Sequence, residues 1–322
     1  MLISTCPIGW RGNVAAFSHL ESLFGIRYVP LEVIRPTPDR FRDTNILMGG
    51  GYDPFYDWII ENWSGERWFR FESPITQMEL AMAGSVDPDR AMVGVELRQL
   101  IKLKRFVEAG AVRLFVPSRK AAAALDGIAD YWPNVVDRRL VEVPAVQKSP
   151  TSCGLFCEYY PRKNLATQLF AAKMMGAEVW CGSGLPMLYQ ELAAEFEIPL
   201  RLLELSDQQE YWQTIASLKL TLQVTITEAL NYAVVEALLL GTVPLVSMSV
   251  PLVDYDADFK RLCAVPALDN PHQIAEMGTT LMEDGDAYGA ACRAGVEAVE
   301  RFAQESREVT RELLEGAGVL PP

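Results

Sequence analysis

The chain has only two histidines in 322 residues, His19 and His272. His19 falls in a stretch that predicts the first helix, and His272 stands beside Pro271 near another predicted helix start. Neither histidine has a serine or cysteine partner in a recognisable frame. This scarcity argues against a Ser–His–Asp hydrolase and against a metal site built on two histidines.

The six cysteines also lack a useful spacing. Cys153 and Cys157 are close in sequence, but no second Cys or His pair stands nearby to complete a zinc site. Four of the six fall beside apolar neighbours in or near predicted strands and helices. We therefore expect reduced thiols in the core, which are typical of a cytoplasmic protein, and no metal site.

Long apolar runs are missing, although 50% of the residues are hydrophobic. No uncharged apolar stretch reaches about 18 residues, so no transmembrane helix is expected. The first seven residues lack the basic region and apolar stretch of a signal peptide and predict a buried strand instead. The composition therefore favours a cytoplasmic protein with enough apolar residues for two α/β domains.

Charge divides the chain into two halves. Residues 1–150 hold 18 Lys and Arg against 18 Asp and Glu, whereas residues 151–322 hold 11 against 24, which accounts for the net charge of −13. The segment from Pro144 to Pro150 has the proline-flanked composition of a linker. These features predict a first domain over residues 1–148 and a second domain that begins at residue 149.

In the first half, short apolar segments alternate with helical patterns. The predicted strands are Leu2–Thr5, Arg27–Val33, Asn45–Gly51, Trp68–Glu72, Ala91–Val95 and Val112–Pro117. Helices are predicted over Val14–Phe24 and Glu96–Glu108. This alternation is typical of a doubly wound sheet, which binds ligands at the carboxyl ends of its strands. The loop Pro7–Asn13 occupies such a place, although it lacks the Gly-x-Gly-x-x-Gly spacing of a dinucleotide site.

The most informative segment lies in the second half, where seven residues separate Glu228 from Glu236. The preceding stretch, Lys219–Thr225, predicts a strand. The residues after Asn231, a good N-cap type, are apolar nearly all round and predict a buried helix that ends before Gly241. Two glutamates at this spacing are ordinarily a solvated face, but charges on a buried helix are rare. Carboxylates beside a helix N-terminus suit a ligand with hydroxyls and phosphates.

The Glu228-x7-Glu236 pattern resembles the signature of retaining glycosyltransferases with the GT-B fold, in particular those of family four. Three upstream segments resemble that family in the same order: Thr151–Leu165, Glu178–Pro186 with its Gly-x-Gly-x-Pro turn, and Pro199–Asp207. The resemblance implies two Rossmann-like, doubly wound α/β domains facing a cleft. It also implies that the second domain covers residues 149–300 and that a terminal helix, residues 301–322, packs back on the first domain.

The resemblance further implies a hexosyltransferase-type reaction that needs a nucleotide sugar, UDP- or GDP-linked, and neither a metal nor another cofactor. By this match Glu236 binds ribose hydroxyls, Glu228 lies beside the donor sugar, and Lys163 neutralises the leaving diphosphate. A cation is needed there because negative charge grows on the phosphate oxygen as the glycosidic bond breaks. The family's arginine has no counterpart at Cys157 or Glu158, so we expect Arg162 to take its role.

Further site residues are implied by the same match. The donor-binding set also includes Leu230, Asn231, Tyr232, Gly182, Gly184, Leu203, Gly9 and Gly12. The acceptor-side set is Trp10, Arg11 and Glu72. Gly9 and Gly12 are interpreted as glycines that let a ligand approach the backbone closely.

The acceptor is left open: a glycan, a small molecule or modified DNA. Residues 98–120 carry seven basic side chains against Glu108 alone, and residues 52–71 are rich in aromatics. These features suggest a phage-type enzyme that glycosylates a hydroxymethylated base, although the overall acidity argues against strong DNA binding. A solvated helix face and ordinary core packing explain the same features. A non-catalytic GT-B binding module is the third hypothesis.

Overall fold

The computed structural model describes residues 1–9, 11–50, 53–71, 92–142, 145–157 and 161–321. The chain divides into two compact units. The first unit combines Met1–Asp137 with Ala303–Pro322, and the second is Arg138–Phe302. Each unit is built on its own six-stranded parallel sheet flanked by helices. In the described part of the chain, no helix combines the length and the apolar character needed to cross a membrane.

The first sheet has the strand order β2-β1-β3-β4-β5-β6. Its strands are β1 (Leu2–Thr5), β2 (Arg27–Tyr28), β3 (Asn45–Gly50), β4 (Arg67–Phe71), β5 (Arg113–Val116) and β6 (Ala129–Tyr131). Among the described residues of this unit, the helices before residue 137 are α1 (Arg11–Phe24), α2 (Leu31–Ile34), α3 (Phe55–Asn62), α4 (Met92–Glu108) and α5 (Arg119–Ala124). The order reverses between β1 and β3, as in doubly wound folds of the flavodoxin type.

Both faces of the first sheet are buried, and successive residues along a strand serve opposite faces. Ile46 and Met48 belong to one apolar cluster, whereas Leu47 between them belongs to the other. Trp68 and Phe69 divide in the same way on β4. The aromatic residues of this region are therefore mainly core residues, as the alternative interpretation of the aromatic cluster predicts.

The second sheet has the strand order β12-β11-β10-β7-β8-β9. Its strands are β7 (Ser149–Gly154), β8 (Glu178–Gly182), β9 (Leu200–Leu203), β10 (Leu218–Gln223), β11 (Val243–Ser247) and β12 (Ala264–Val265). The helices are α6 (Leu165–Met174), α7 (Met187–Glu195), α8 (Gln208–Ala216), α9 (Tyr232–Leu239), α10 (Ala257–Cys263), α11 (Pro271–Glu283) and α12 (Gly285–Gly316). The chain leaves β7 toward β8 and β9, then returns to β10 on the other side of β7. This is the Rossmann order.

The last turns of α12 belong to the first unit. Leu314 is fully buried in the apolar cluster that contains Leu2 and Phe17. The indole of Trp132 donates a hydrogen bond to the hydroxyl of Thr310 at 3.1 Å. The end of the chain therefore completes the core of the sheet with which the chain begins.

Three sequence-based boundaries in the first unit are wrong. Helix α1 begins at Arg11 rather than Val14, so Gly12 lies in its first turn. Strand β2 ends at Tyr28, and the next apolar residues form the short helix α2, whose Leu31 and Ile34 are buried. The predicted strand over residues 91–95 is helical from Met92 onward. Short apolar runs fit strand and helix equally, so periodicity alone cannot distinguish them.

His19 gives the first unit a sensitivity to acid. Its Nδ1 accepts a hydrogen bond of 2.9 Å from the amide of Asp137, and burial lowers the pKa of His19 to about 4, against a partial opposing effect of the Asp137 charge. At His19 the unfolded chain therefore binds more protons than the folded chain between about pH 4 and 6.5, and the contribution of His19 to stability falls as the pH falls through this range.

We predict that His19→Gln, which keeps an acceptor without a titrating ring, flattens this dependence. Denaturant unfolding at pH 7 and pH 5 measures it: between these pH values the wild type should lose about 2 kcal/mol relative to His19→Gln. The exposed His272→Gln is the control and should retain the wild-type slope. Equal slopes for wild type and His19→Gln would show that His19 is not the responsible group.

Candidate active site in the second unit

The reversal of strand order in the second sheet defines a place for a ligand. Strands β7 and β10 are parallel neighbours, and the chain continues from them in opposite directions. Doubly wound folds bind ligands at such a reversal, outside the carboxyl ends of the strands. The loop after β7 carries Lys163, and the loop after β10 carries Glu228.

The loop after β7 is fixed to the loop after β10 by hydrogen bonds. A single 3-10 turn, Pro161–Lys163, is followed by Asn164, whose φ of 53° is in the left-handed region that asparagine tolerates. The Asn164 amide donates to the carbonyls of Val224 at 3.3 Å and Leu268 at 2.6 Å. The amide of Ile226 donates to the Arg162 carbonyl at 2.8 Å.

Gln168, buried on α6, strengthens the same link. Its Nε2 donates to the Lys163 carbonyl at 2.6 Å, and its Oε1 accepts from the Val224 amide at 2.8 Å. One side chain thus holds the backbones of both loops. Because these bonds are buried, loss of either partner would leave a polar group unsatisfied.

Glu228 lies between two cations where these two loops meet. Its Oε1 is 2.5 Å from the Lys163 ammonium, and its Oε2 is 2.9 Å from an Arg162 guanidinium nitrogen. The exposed fractions of the three side chains are 5% for Glu228, 7% for Lys163 and 13% for Arg162. We call these three residues the charged triad. Its formal charge is positive by one unit, so it favours an anionic ligand.

The protonation state of Glu228 follows from its neighbours. Burial alone would raise the pKa of this carboxyl, but the charges and hydrogen bonds of Lys163 and Arg162 hold the pKa below its ordinary value. The Asn231 amide adds a longer contact of 3.4 Å to Oε1 and donates to Gln223 Oε1 at 2.8 Å. Glu228 is therefore a carboxylate at neutral pH.

Glu236 lies only eight residues after Glu228 in the sequence, but its environment is different. Its Oε1 accepts hydrogen bonds from Gln208 at 3.1 Å and from the Trp212 indole at 3.2 Å, both on α8. Burial raises the pKa of Glu236 to about 7, and hydrogen bonds from Trp212, Tyr211 and Gln208 offset this only partly. Glu236 therefore changes charge near neutral pH.

Helix α9 begins at Tyr232, with Asn231 in the N-cap position, and Gly241 has the left-handed φ of 70° after its end. These boundaries confirm the sequence-based ones. The Asn231 side chain, however, makes no capping hydrogen bond and turns to Gln223 and Glu228 instead. Its role in the site thus replaces its expected role in the helix.

The other predicted donor-side residues lie at the same edge of the sheet or beside it. Gly182 and Leu203 are register partners at the carboxyl ends of β8 and β9, and Gly184 lies in the turn after β8. Leu230 is buried and Tyr232 half-buried, on either side of Asn231. These positions agree with a ligand at that edge, and their contact with a ligand stays a prediction.

The predicted residues of the first unit are only partly described. Gly9 lies after β1, and a Cβ at Gly9 or Gly12 would meet no atom within 4 Å. Packing therefore does not explain either glycine. Trp10 and Glu72 lie outside the described residues, as does the side chain of Arg11.

The basic segment 98–120 is largely balanced by carboxylates. At least four of its seven cations form ion pairs within the described part of the chain. The pairs are Lys102–Asp57, Lys104–Glu108, Arg113–Asp130 and Arg119–Glu305. This pairing reduces the positive charge available to a polyanion and favours the interpretation as a solvated surface.

The sequence did not identify Gln168, Gln223, Gln208 or Trp212 as site residues. Gln168 had a weak signal, since a polar side chain stands on the helix that directly follows Lys163-Asn164. Trp212 and Gln208 had none, because the approach of α8 to α9 is set by packing between elements and not by a local pattern.

The shifted pKa of Glu236 generates a stability prediction. The folded chain binds a proton at Glu236 more tightly than the unfolded chain, whose carboxyl has a pKa near 4.5. The contribution of Glu236 to stability should therefore decrease as the pH rises from about 4.5 to about 7. Glu236→Gln should remove this decrease, which unfolding at pH 5 and pH 8 measures. The exposed Glu297→Gln is the control, and parallel profiles for all three proteins would contradict the prediction.

No protein-family model matches the sequence, and neither does any curated protein. Solved structures do match. A sucrose-phosphate synthase from Thermosynechococcus elongatus is 14% identical with a TM-score of 0.62, covering 92% of this chain and 81% of that one. A UDP-forming α,α-trehalose-phosphate synthase from Burkholderia xenovorans, in complex with glucose-6-phosphate, is 10% identical with a TM-score of 0.59, covering 85% and 74%.

A third match is a trehalose-6-phosphate synthase from work on enzymatic glycosyl transfer with retention. It is 11% identical with a TM-score of 0.58, covering 94% of this chain and 83% of that one. At these identities the likeness concerns architecture. The two six-stranded parallel sheets and their strand orders, together with these matches, show that the chain has the GT-B fold.

Proposed function

We propose that the protein is a retaining glycosyltransferase that moves a sugar from a nucleotide sugar to an acceptor hydroxyl. The observation that carries this proposal is the charged triad, Arg162, Lys163 and Glu228, at the strand-order reversal of the second sheet. Two cations at the carboxyl edge of a Rossmann-like sheet suit a diphosphate. The GT-B matches, which include a UDP-forming synthase, support the same class.

In this proposal Lys163 and Arg162 bind the diphosphate, and the amides at the start of α6 add the positive end of a helix dipole. Glu236 accepts hydrogen bonds from the ribose hydroxyls in place of those from Gln208 and Trp212. Gly182, Gly184, Leu203, Leu230, Asn231 and Tyr232 complete the surface toward the nucleotide. The donor is a UDP- or GDP-sugar.

The chemistry breaks the bond between the anomeric carbon and the diphosphate oxygen and forms one from the same carbon to the acceptor oxygen. Attack from the face that the diphosphate leaves retains the anomeric configuration. The acceptor proton passes to the departing diphosphate oxygen, so atoms and charge balance without a residue as nucleophile. Lys163 and Arg162 stabilise the negative charge that grows on that oxygen, and we propose that no metal is needed.

Acceptors should be tested by class. The matched synthases are named for phosphorylated disaccharides, and one was solved with glucose-6-phosphate, so sugar phosphates come first. Glycans and small hydroxylated molecules follow. Hydroxymethylated DNA is a weaker candidate, because most cations of segment 98–120 are paired with carboxylates. A binding module without activity would bind nucleoside diphosphate but release none from any nucleotide sugar.

We predict that Lys163→Ala lowers kcat for nucleoside diphosphate formation by about 10²–10³-fold, since a donor to the developing charge is lost. Turnover of a panel of nucleotide sugars, followed by released diphosphate, measures this. Lys173→Ala is the matched control, because Lys173 also follows β7, on α6, but is bonded to the carbonyl of Phe196. Wild-type turnover of Lys163→Ala at saturating donor would contradict the diphosphate role.

Substitution of Gly12 tests whether this glycine is needed for ligand binding or for folding. It lies in the first turn of α1 with open space around its Cβ position, so Gly12→Ala should leave stability equal or raise it by up to about 1 kcal/mol. If donor or acceptor approaches this backbone, the KM of that substrate should rise. Gly285→Ala, at the start of α12 and equally open, is the control. Unchanged kinetics in a stable Gly12→Ala protein would remove Gly12 from the site.

A further inference from the structure

The charged triad carries an inference about Glu228 that deepens the proposed function and rests on it. We propose that Glu228 is an internal counter-anion: it occupies Lys163 and Arg162 when the site is empty and competes with the phosphate groups of the ligand when it is full. In this role Glu228 limits the affinity for the diphosphate product and speeds its release.

The geometry supports an exchange of partners. Lys163 and Arg162 bind different oxygens of the carboxylate, at 2.5 Å and 2.9 Å. If the Lys163 ammonium turns to a phosphate, Glu228 keeps Arg162 and also Asn231, whose amide is 3.4 Å from the oxygen that Lys163 leaves. The buried carboxylate is therefore never left without a donor, which would be costly.

The backbone of Lys163 is fixed while its side chain exchanges. Gln168 binds the Lys163 carbonyl at 2.6 Å, and the next residue, Asn164, is bonded to the carbonyls of Val224 and Leu268. The four-carbon stem of lysine can turn about such an anchor, and its ammonium accepts any direction of approach. Arg162 is held additionally by the carbonyl of Thr227 at 3.2 Å. Lys163 is thus the cation that exchanges and Arg162 the one that stays.

The charge balance gives the sign of the effect. With Glu228 ionised, the triad has one positive charge in excess, and without it two. At unit-charge separations of about 5–8 Å and an effective dielectric constant of about 20, removal of this carboxylate charge should strengthen the binding of a small polyanion roughly ten- to hundredfold. A residue that merely supports the fold would not strengthen anion binding when it is replaced.

The test is isothermal titration of the full-length protein with inorganic pyrophosphate, which has neither ribose nor sugar. Glu228→Gln should bind pyrophosphate at least about tenfold more tightly than wild type. The control is Glu178→Gln, which changes the net charge equally at the first residue of β8, the opposite edge of the sheet. Its affinity should stay at the wild-type value. Equal or weaker binding by a folded Glu228→Gln protein overturns the proposal.

A second comparison covers the case in which Glu228→Gln does not fold. Lys163→Met/Glu228→Met removes a buried pair together, which proteins often tolerate. The double variant should bind pyrophosphate more tightly than Lys163→Met alone, because only the single variant retains the competing carboxylate. Equal affinities would overturn the inference by this route.

The pyrophosphate test of Glu228 and the turnover test of the glycosyltransferase function can fail independently. Suppose that the variants bind pyrophosphate more tightly but that no nucleotide sugar releases nucleoside diphosphate. This result would support the counter-anion role of Glu228 and contradict the glycosyltransferase function. If the wild type transfers sugar but the variants bind pyrophosphate no more tightly, the glycosyltransferase function is supported and the counter-anion role is contradicted. If both hold, Glu228→Gln should also show stronger inhibition by the nucleoside diphosphate product and a lower kcat limited by its release.

Discussion

The burial of one carboxylate against two cations is the constraint on which the second unit depends. Taking Glu228, Lys163 and Arg162 out of water costs several kcal/mol for each ion, and their attraction offsets this only with close, well-directed contacts. The contacts are short because the loops after β7 and β10 are held together on both sides of the triad. A parallel sheet with both faces covered offers only its edges for such polar groups.

Neutral amide side chains provide that positioning. Gln168 bonds the backbones of both loops, while Gln223, the last residue of β10, bonds the Phe156 carbonyl and accepts from Asn231. Asn231 then reaches Glu228. Amides suit this task because each offers donors and an acceptor without adding charge. In the low dielectric of the interior such a chain of bonds is strong when complete and costly when one member is missing.

The sequence predicted the second unit better than the first, for a physical reason. The predicted strand Lys219–Thr225 overlaps β10, and α9 is bounded by Asn231 and Gly241, residue types that favour a helix start and a helix end. In the first unit, the apolar residues 29–34 and 91–95 fit either periodicity, and only tertiary packing decides. Glu228 and Glu236 were visible because charges in apolar surroundings are rare, whereas Lys163 and Arg162 were identified only through the family resemblance. Gln168 and Trp212 were not, because their importance comes from neighbours distant in sequence.

Glu228 and Glu236 show why spacing alone does not define a role. Both are glutamates beside the same helix, yet the two cations keep the first ionised, and the second, bonded only by the neutral donors of α8 among the contacts described here, has a pKa raised to about 7. Environments that separate the pKa values of two like groups assign them different chemistry. In the roles that we propose, Glu228 keeps a constant charge, so its competition with a diphosphate should not vary near neutral pH. The carboxylate assigned to the ribose changes charge in the same range, and recognition of the nucleotide would depend on pH mainly through Glu236.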